Sequence, residues 1–481
     1  MIKHGLYNFI GASFRLCVTV GTIPLLIRLI GLEEYGLWTI VSTVVAIVSL
    51  AEAGLSVSTT YFLSRDLADN DTVRISETLT VSFCSILLLA TVASGILWSS
   101  AEYIIYLFPK LTPSQHQIVI PAFRLGALVI WIKLLQRIFV GIEQAYQRYG
   151  LFNLINTIQV SLVNLGMLWI AYSGGLTLAL MRWQLISNLL ILAAHIVIGS
   201  RLLRHTSIKL IWNWKRCVEI FRYSMKTWLA SIGSALFTQG DKVIIGSILG
   251  TTTLGIYSAI TSITAQINAF SSLPVQPLLP HLSKLLQSSD TTRAELIKLV
   301  RQAFHINALV AIGLGGGLIA LAPTILNLLL PDVNTSEYLG VFYIAIFIYT
   351  LYSINAIGYY ILFSTNNVSS CLKIQIVSGI LSLVLITLGA HTLALVGAVI
   401  GNAGYICTWF LIYKGMNKLA ITVDTWLQWL SFISIWFFAV SFVSILIPNI
   451  FFIRIMLFTI HIIVLVSRLY LKNKTIFKLW K

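Results

Sequence analysis

The hydropathy of this chain constrains its fold more than any other feature, because apolar segments of membrane-spanning length follow one another along almost the whole sequence. A helix needs about 20 apolar residues to cross a bilayer. Turn residues and charges divide the chain into fourteen such segments, at about residues 6–30, 37–63, 79–101, 119–141, 152–173, 176–200, 224–249, 255–281, 302–330, 339–363, 372–390, 393–413, 425–447 and 451–471. The pattern predicts an all-α polytopic membrane protein with about fourteen transmembrane helices.

The composition excludes several other classes of protein. Of the 481 residues, 58% are apolar and 10% are charged, whereas soluble domains have about 45–50% and about 25%. A soluble enzyme, a disordered chain and a collagen-like fibre are therefore excluded. The five cysteines form no CxxC pair, and neither an HExxH motif nor a GxxxxGK phosphate loop is present. We therefore expect no catalytic residues, no metal site and no organic cofactor.

The net charge of +16 is distributed unevenly along the chain. If the N-terminus is cytoplasmic, the cytoplasmic segments carry 22 Lys and Arg residues, and the outer segments carry only Lys110. This asymmetry is the normal orientation signal of short loops. The basic balance thus reflects topology and attraction to anionic lipid headgroups. Membrane lipids are expected partners, and nucleic acid is not.

The sequence also contains an internal repeat with a constant offset between its two copies. Gly31 and Gly36 flank the junction of the first two spans, and Gly250 and Gly255 flank that of spans seven and eight. Because six spans separate the copies, both halves have the same orientation, which is a parallel repeat about an axis along the membrane normal. The predicted lobes are residues 1–222 with helices 1–6 and residues 223–414 with helices 7–12. Residues 415–481 add helices 13–14 and a basic cytoplasmic tail.

Two pairs of motifs resemble a known family. They are Gly31–Trp38 (GLEEYGLW) with Ala51–Leu55 (AEAGL), and Gly240–Gly246 (GDKVIIG) with Leu254–Tyr257 (LGIY). They resemble motifs of the Wzx-type polysaccharide-repeat flippases, the O-antigen and capsule transporters of the multidrug/oligosaccharidyl-lipid/polysaccharide exporter superfamily. The motifs cover the first two spans of each half. Fourteen spans also look more like the polysaccharide branch than like the twelve-span drug exporters.

The resemblance implies two six-helix lobes in a V-shape around a central cavity, with two extra C-terminal helices, working by alternating access. It implies a non-enzymatic flippase that moves undecaprenyl-diphosphate-linked oligosaccharide from the cytoplasmic to the periplasmic leaflet of the bacterial inner membrane. A polysaccharide polymerase and a chain-length regulator are then candidate partners. Alternatives are a multidrug or peptidoglycan-precursor exporter of the same superfamily and, in a different class, a membrane polysaccharide polymerase or glycosyltransferase. Such enzymes generally need a larger outer loop than this chain has.

Ionisable residues inside the spans are the candidate site residues, because each costs at least about 2.5–3.5 kcal/mol near the bilayer centre. Arg15, Lys133 and Glu52 are the deepest. Arg15 and Glu52 lie on consecutive helices and are expected to form a pair, which either serves transport or only fastens spans 1 and 2 together. Lys133 is left uncompensated. Excess positive charge suits a diphosphate, which Arg binds as a bidentate fork and Lys as a point charge.

Further intramembrane charges extend this set. Arg124, Arg137 and Arg182 are additional candidates for diphosphate binding, although Arg124 and Arg137 can also snorkel to the interface. Asp241 and Lys242 are candidates for coupling to H⁺ or Na⁺, or for charge pairing, as is Glu52.

Other residues invite a structural interpretation. Arg28, Lys226 and Arg454 lie near span ends and are expected to snorkel. Pro274, Pro277 and Pro280 predict a bend in span 8, and the glycine run at 313–317 predicts close helix packing.

The charge asymmetry predicts the topology of the chain. A reporter that is active only in the periplasm should give no signal when fused after Lys481 and a clear signal when inserted within 331–337. The reverse pattern would refute the assigned orientation.

Overall fold

The computed structural model describes residues 2–52, 54–204, 206, 208–276, 278–287, 292–331 and 333–472. These residues form helices and connecting turns, with no strand among them. Eleven helical segments of this described part are long and apolar enough to cross a membrane. The prediction of an all-α polytopic membrane protein is confirmed. The count of fourteen stays a prediction, because predicted spans 7 and 8 are divided into shorter helices and spans 11 and 12 are joined in one segment.

The first of two compact units comprises residues 1–258. Its helices are α1 (Ile2–Ile30), α2 (Leu32–Val48), α3 (Leu55–Ala68), α4 (Thr72–Ile104), α5 (Pro113–Ala145), α6 (Tyr149–Tyr172), α7 (Thr177–Leu203), α8 (Trp214–Ala235), α9 (Asp241–Leu249) and α10 (Thr251–Thr264), the last of which runs past the unit boundary. Short 3₁₀ turns cover Ser49–Glu52 and Ile105–Leu107, and a π-helical turn covers Leu236–Gly240.

The second unit comprises residues 259–481. Beyond the end of α10, its helices are α11 (Gln266–Ser272), α12 (Leu278–Gln287), α13 (Arg293–Ala320), α14 (Ala322–Leu329), α15 (Thr335–Ser353), α16 (Ala356–Ser364), α17 (Val368–Gly401), α18 (Trp409–Lys418), α19 (Val423–Leu446) and α20 (Phe451–Lys472). Two 3₁₀ segments, Leu273–Val275 and Asn402–Thr408, join helices within it.

The unit boundary lies later than residue 222, where the repeat places the end of the first lobe, because α8 packs against the first unit. The hydroxyls of Ser58 on α3 and Ser224 on α8 are 2.6 Å apart. The indole N–H of Trp228 on α8 donates to the carbonyl of Leu50 at 2.7 Å. The compact units and the sequence repeat therefore divide the chain at different positions. The division into 1–222, 223–414 and 415–481 stays a prediction.

The offset that separates Gly31 from Gly250 recurs in the helix boundaries of the structure. Helix α1 ends at Ile30 and α9 at Leu249, α5 ends at Ala145 and α16 at Ser364, and α6 begins at Tyr149 and α17 at Val368. The two members of each pair are the same number of positions apart as the two glycines. The offset read from two glycine turns thus holds across the helices of both halves.

The two glycine junctions have the same backbone conformation and lie against each other. Gly31 and Gly250 both have a positive φ, 83° and 89°, which a residue with a Cβ adopts at a cost. A Cβ on Gly36 would overlap the carbonyl oxygen of Thr251, and one on Gly255 would lie 2.6 Å from the carbonyl oxygen of Leu32. Because Leu32 and Thr251 are themselves related by the repeat offset, the contact is symmetric. Equivalent backbones of the two copies touch here.

The helical path of predicted span 8 is interrupted at its prolines, as expected. Helix α11 ends at Ser272, Pro274 lies in the 3₁₀ turn that follows, and α12 begins only at Leu278. Proline lacks the N–H that would continue the helix. Pro277 lies outside the described residues.

Predicted spans 11 and 12 share α17, in which the chain reverses at Leu393 and Ala394. These two residues have non-helical φ/ψ values, and Ala394 has a φ of 49°. The backbones of Gly389 and Gly397 lie against each other across the reversal. The very short connection predicted between these spans is therefore a two-residue reversal, Leu393 and Ala394, between two helical stretches of α17.

The glycine run at 313–317 receives the last helix of the chain. A Cβ on Gly316 would collide with the imidazole of His461 on α20, and one on Gly317 would lie 3.0 Å from the ring of Phe458. His461 also accepts a hydrogen bond from the indole N–H of Trp436 at 3.0 Å. The predicted packing role of this run is thus seen between α13 and α20.

Arg454 on α20 corrects the expectation that it snorkels to the interface. It is only 3% exposed. Its guanidinium donates to the carbonyls of Ala320 at 3.4 Å and Ile447 at 3.0 Å, and to the hydroxyl of Tyr343 at 3.2 Å. Ala320 ends α13, and Ile447 directly follows α19. A cation placed at two helix C-termini satisfies their free carbonyls and opposes their dipoles.

The close contact of the two glycine junctions leads to a stability prediction. Gly36→Ala should destabilise the protein by about 1–3 kcal/mol, as overpacking does, because its neighbour is backbone and cannot rotate away. Gly95→Ala on α4 is the matched control, since no atom lies within 4 Å of its Cβ position. Thermal unfolding in detergent should give a lower midpoint for Gly36→Ala only. Equal midpoints would contradict the close contact.

Candidate functional site

A polar cavity of about 310 Å³ lies within residues 1–258 and is lined mainly by α5, α6 and α7. Helix α5 contributes Lys133, Gln136, Arg137 and Val140 to its wall. These positions follow the spacing i, i+3, i+4, i+7, so they share one face of the helix. The remaining polar lining consists of Ser49, Asn156, Gln159 and His195.

Lys133 and Arg137 bring two cations into this cavity. Both lie on α5, and Lys133 has no ion pair within 4 Å in the described part of the chain. The prediction that Lys133 is uncompensated therefore agrees with the geometry. Arg137, which also had the snorkelling interpretation, lines the cavity with 55% of its side chain exposed.

Glu52 pairs with Arg137 and not with Arg15, which corrects the pairing expected from the sequence. The guanidinium Nε of Arg137 lies 3.3 Å from Glu52 Oε2. The other carboxylate oxygen of Glu52 accepts the backbone N–H of Ser56 at 3.2 Å. The predicted partner lay on a neighbouring span, whereas the actual partner comes from α5, much further along the chain. Sequence adjacency of spans does not determine which faces meet.

Arg15 is directed to a different neighbour. Its guanidinium donates to the hydroxyl of Thr157 on α6 at 3.0 Å, and that hydroxyl donates to the carbonyl of Asn153 at 2.8 Å. Arg15 is not among the described residues that line the cavity. It fastens α1 to α6, while the neighbouring Asn156 faces the cavity.

An amide network forms one wall of the cavity. Gln136 donates to the backbone carbonyl of Asn188 at 2.7 Å. Gln159 donates to the side-chain oxygen of Gln136 at 3.3 Å and to that of Asn188 at 3.1 Å. The network joins α5, α6 and α7, and it holds amide groups at fixed positions beside the cations. Nothing in a single helix pattern indicated that these three amides would meet.

Glu143 and His195 are functional candidates that the sequence reasoning missed. His195 Nδ1 lies 2.7 Å from Glu143 Oε1, and both side chains are buried. Span 4 was predicted to end at residue 141, which left Glu143 outside the membrane, whereas α5 continues to Ala145. Continuing the spacing of Lys133, Gln136 and Val140 by one step would have placed Glu143 on the same face.

Arg124 and Arg182 lie outside this cavity. Arg124 donates to Glu102 on α4 at 2.8 Å, and 40% of its side chain is exposed. Arg182 on α7 is exposed. Neither is among the described residues that line the cavity.

Asp241 and Lys242 form a separate cluster at the start of α9. Asp241 is buried and accepts the hydroxyl proton of Tyr257 at 2.7 Å and the backbone N–H of Lys242 at 2.8 Å. A π-helical turn directly precedes Asp241, a feature that is frequent at functional sites. The structure thus joins two motifs noted in the sequence, GDKVIIG and LGIY, through one hydrogen bond.

The chemistry of the cavity is that of a polar, anion-attracting compartment. Two cations, Lys133 and Arg137, and several amides line it, and no group of three or more His, Cys, Asp or Glu residues suited to a metal occurs in the described residues. A multi-pass helical protein with an internal cationic cavity belongs structurally with membrane transporters.

The comparisons with known proteins agree with this class. A model for the family described as "Polysaccharide biosynthesis protein" matches residues 25–332. The chain therefore belongs to this family. A Shigella flexneri protein named "Putative O-antigen transporter" is 21% identical over 300 residues, which are 61% of this chain and 69% of that protein.

Solved structures show the same fold at low sequence identity. The lipid II flippase MurJ in an inward closed conformation has a TM-score of 0.76 at 14% identity, covering 98% of this chain and 99% of that one. A multidrug MATE-family transporter of the MOP superfamily has a TM-score of 0.69 at 14% identity, covering 87% and 94%. These likenesses confirm the predicted fold.

The amide network leads to a test of the cavity wall. Gln136→Met keeps the size of the side chain but removes a donor and an acceptor, so it should cost about 1–3 kcal/mol by leaving buried polar groups unpaired. Gln117→Met is the control, because Gln117 is exposed on the same helix. Thermal unfolding of both variants should show a loss only for Gln136→Met. An unchanged midpoint would mean that the amides contribute no net stability.

Proposed function

We propose that this protein is an inner-membrane flippase for undecaprenyl-diphosphate-linked oligosaccharide, moved from the cytoplasmic to the periplasmic leaflet by alternating access. The observation that carries the proposal is the polar cavity with Lys133 and Arg137 in its wall. A lipid-linked sugar has one invariant anionic part, its diphosphate. The family and the "Putative O-antigen transporter" relative support the same substrate class.

The two cations have different roles in binding a diphosphate. Lys133 has no carboxylate partner among the described residues and acts as a point charge for phosphate oxygens. Arg137 offers a planar fork, but Glu52 occupies its Nε edge at 3.3 Å. The carboxylate therefore competes with the phosphate for this guanidinium. Competition of this kind weakens binding enough for release, which a transporter needs as much as capture.

The amides next to the cations suit the sugar that follows the diphosphate. Asn156 can donate and accept hydrogen bonds, as sugar hydroxyls require. The N–H groups of Gln159 are already engaged in the amide network, so this residue contributes its carbonyl oxygen as an acceptor. The cavity of about 310 Å³ leaves room for the diphosphate and part of one sugar. The rest of the oligosaccharide and the lipid would extend beyond it.

The charge distribution supports the orientation in the membrane. A cytoplasmic N-terminus puts 22 cations on the cytoplasmic side and one on the outer side, which supports a cytoplasmic position for both termini. In this orientation α5 runs inward, so that Glu143 lies nearer the cytoplasm than Lys133. A polymerase and a chain-length regulator remain predicted partners on the product side.

The alternative transport substrates differ in their charge. A cationic drug would be repelled by Lys133 and Arg137, so the cavity disfavours a multidrug exporter. A lipid-linked peptidoglycan precursor contains the same diphosphate, and the cavity chemistry would accept it. Analysis of the undecaprenyl-linked material that accumulates after gene disruption separates these two substrates by their sugars.

Lys133 provides the central test. Lys133→Ala should impair export of surface polysaccharide while leaving membrane insertion intact, because one charge-assisted contact of about 1.5–3 kcal/mol corresponds to roughly ten- to a hundredfold in affinity. Lys133→Arg should keep part of the export. Surface polysaccharide is measured at matched protein levels.

Arg124→Ala is the matched control, since Arg124 also lies on α5 but pairs with Glu102 outside the cavity. It should export normally. If Lys133→Ala and Arg137→Ala each showed full export, the cationic cavity would have no role in transport.

A further inference from the structure

Glu143 and His195 form a buried acid–base pair at the wall of the same cavity. Glu143 Oε1 and His195 Nδ1 are 2.7 Å apart, and the side chains are 0% and 3% exposed. His195 lines the cavity together with Lys133 and Arg137. The proposed binding of the diphosphate by these two cations does not use the pair.

Only one ring nitrogen of His195, Nδ1, contacts Glu143. Because Nδ1 contacts Glu143, Nε2 is the nitrogen that remains for a second partner, and a carboxylate on Nδ1 fixes this orientation. Among the described residues, the second oxygen of Glu143, Oε2, has no hydrogen-bond partner. A buried carboxylate that lacks a partner on one oxygen is costly when ionised.

Most charged side chains on the helices around the pair are either paired with another residue or exposed. On the described part of the elements packed around α5, Glu52 is paired with Arg137, and Asp66 is paired with Arg65 and Arg216. Glu33 and Glu34 on α2 accept hydrogen bonds from Gln115 and Thr177. Glu77 on α4 is bound by the amide of Asn213. Arg148 and Arg201, near the ends of α6 and α7, are exposed. Within 4 Å, Glu143 has an ion pair only with His195 among the described residues.

We propose that the Glu143–His195 pair is a proton-binding site linked to the anion in the cavity. His195 becomes an imidazolium when an anion enters beside Lys133 and Arg137, and its Nε2–H becomes a third donor to that anion. Glu143 stabilises the imidazolium from the other side of the ring. The identity of the anion as a diphosphate rests on the proposed function, but the proton linkage does not. Coupling to a proton is thereby assigned to this pair rather than to Asp241 or Glu52.

The sign of the linkage follows from charge. One bound proton makes the cavity more positive by one unit, so proton and anion strengthen each other's binding by the same factor. The anion therefore binds more weakly as the pH rises, and binding takes up protons from solution. The helical rise places Glu143 about 9 Å along α5 from Arg137. A unit charge at about 10 Å and an effective dielectric constant of about 20 changes the affinity on the order of tenfold for each charge of the anion, and so on the order of a hundredfold for a divalent anion.

Isothermal titration calorimetry of the purified full-length protein tests the linkage. Sulfate is the probe, because it is divalent and keeps its charge between pH 6 and 8, about the range in which histidine titrates. Titrations in buffers of different ionisation enthalpy count the protons taken up per sulfate bound. The native protein should take up a measurable fraction of one proton, and its sulfate affinity should fall by at least about tenfold as the pH rises through this range.

Glu143→Gln and His195→Gln should abolish the proton uptake and flatten the pH dependence. The sulfate binding that remains should be weaker than in the native protein at low pH but should still depend on Lys133. Two control variants change the same residue types at exposed positions elsewhere: Glu102→Gln on α4 and His391→Gln on α17. Both should retain the proton uptake. A purely structural pair would change the unfolding temperature of the variants but not the number of protons.

Each outcome decides between the two proposals. Lys133-dependent sulfate binding without proton uptake overturns the proton site and leaves the flippase proposal intact. Proton uptake that survives in either Glu143→Gln or His195→Gln also overturns it, so one folded variant of the two is sufficient. Sulfate binding that does not depend on Lys133 overturns the linkage at this cavity. The flippase proposal is decided separately, by polysaccharide export of Lys133→Ala in cells.

Discussion

The bilayer interior offers no water to polar groups, and most of this structure follows from that constraint. A polar side chain within a span is stabilised by a partner in the protein, and where it has one the partner determines which helices meet. Arg454 does this for α13, α19 and α20 by capping two helix ends. Gln136 does it for α5, α6 and α7 through one amide network. Polar residues thus specify packing in a core where apolar surface alone is not selective.

The backbone contact between the two copies of the repeat shows a second way in which helices associate in the bilayer interior, by close packing instead of polar pairing. At Gly36 and Gly255 the helices approach so closely that no Cβ fits. Close approach of small residues strengthens dispersion contacts between helices, which in lipid replace the hydrophobic effect. Leu32 and Thr251 take equivalent positions opposite these glycines, so the contact has the same symmetry as the sequence repeat. Symmetry at the junction coexists with marked asymmetry elsewhere.

The parts of the structure that were predictable from sequence are those governed by one helix at a time. Hydropathy identified most spans, proline identified the interruption after Ser272, and the glycine offset identified the repeat. The pairing of Glu52 with Arg137 was not predictable, because it depends on which faces of distant helices meet. Glu143 was missed for a smaller reason, since a charge near a span end was taken as its boundary. Arg454 was misjudged because a snorkelling residue and a capping residue have the same position in sequence.

The repeat also relates the residues of the proposed anion site to positions in the second half. The offset that takes Gly31 to Gly250 also takes Lys133 to Tyr352 and Glu143 to Leu362. Tyr352 packs its ring against that of Tyr405, with centroids 5.7 Å apart, so this position in the second copy is part of an aromatic core. The two copies share helix boundaries, but they have different residue types at these two positions. The lysine and glutamate of the first copy thus correspond to a tyrosine and a leucine in the second, although the position equivalent to His195 is Lys414. The set of residues on which the proposed anion site rests is therefore not repeated as a whole.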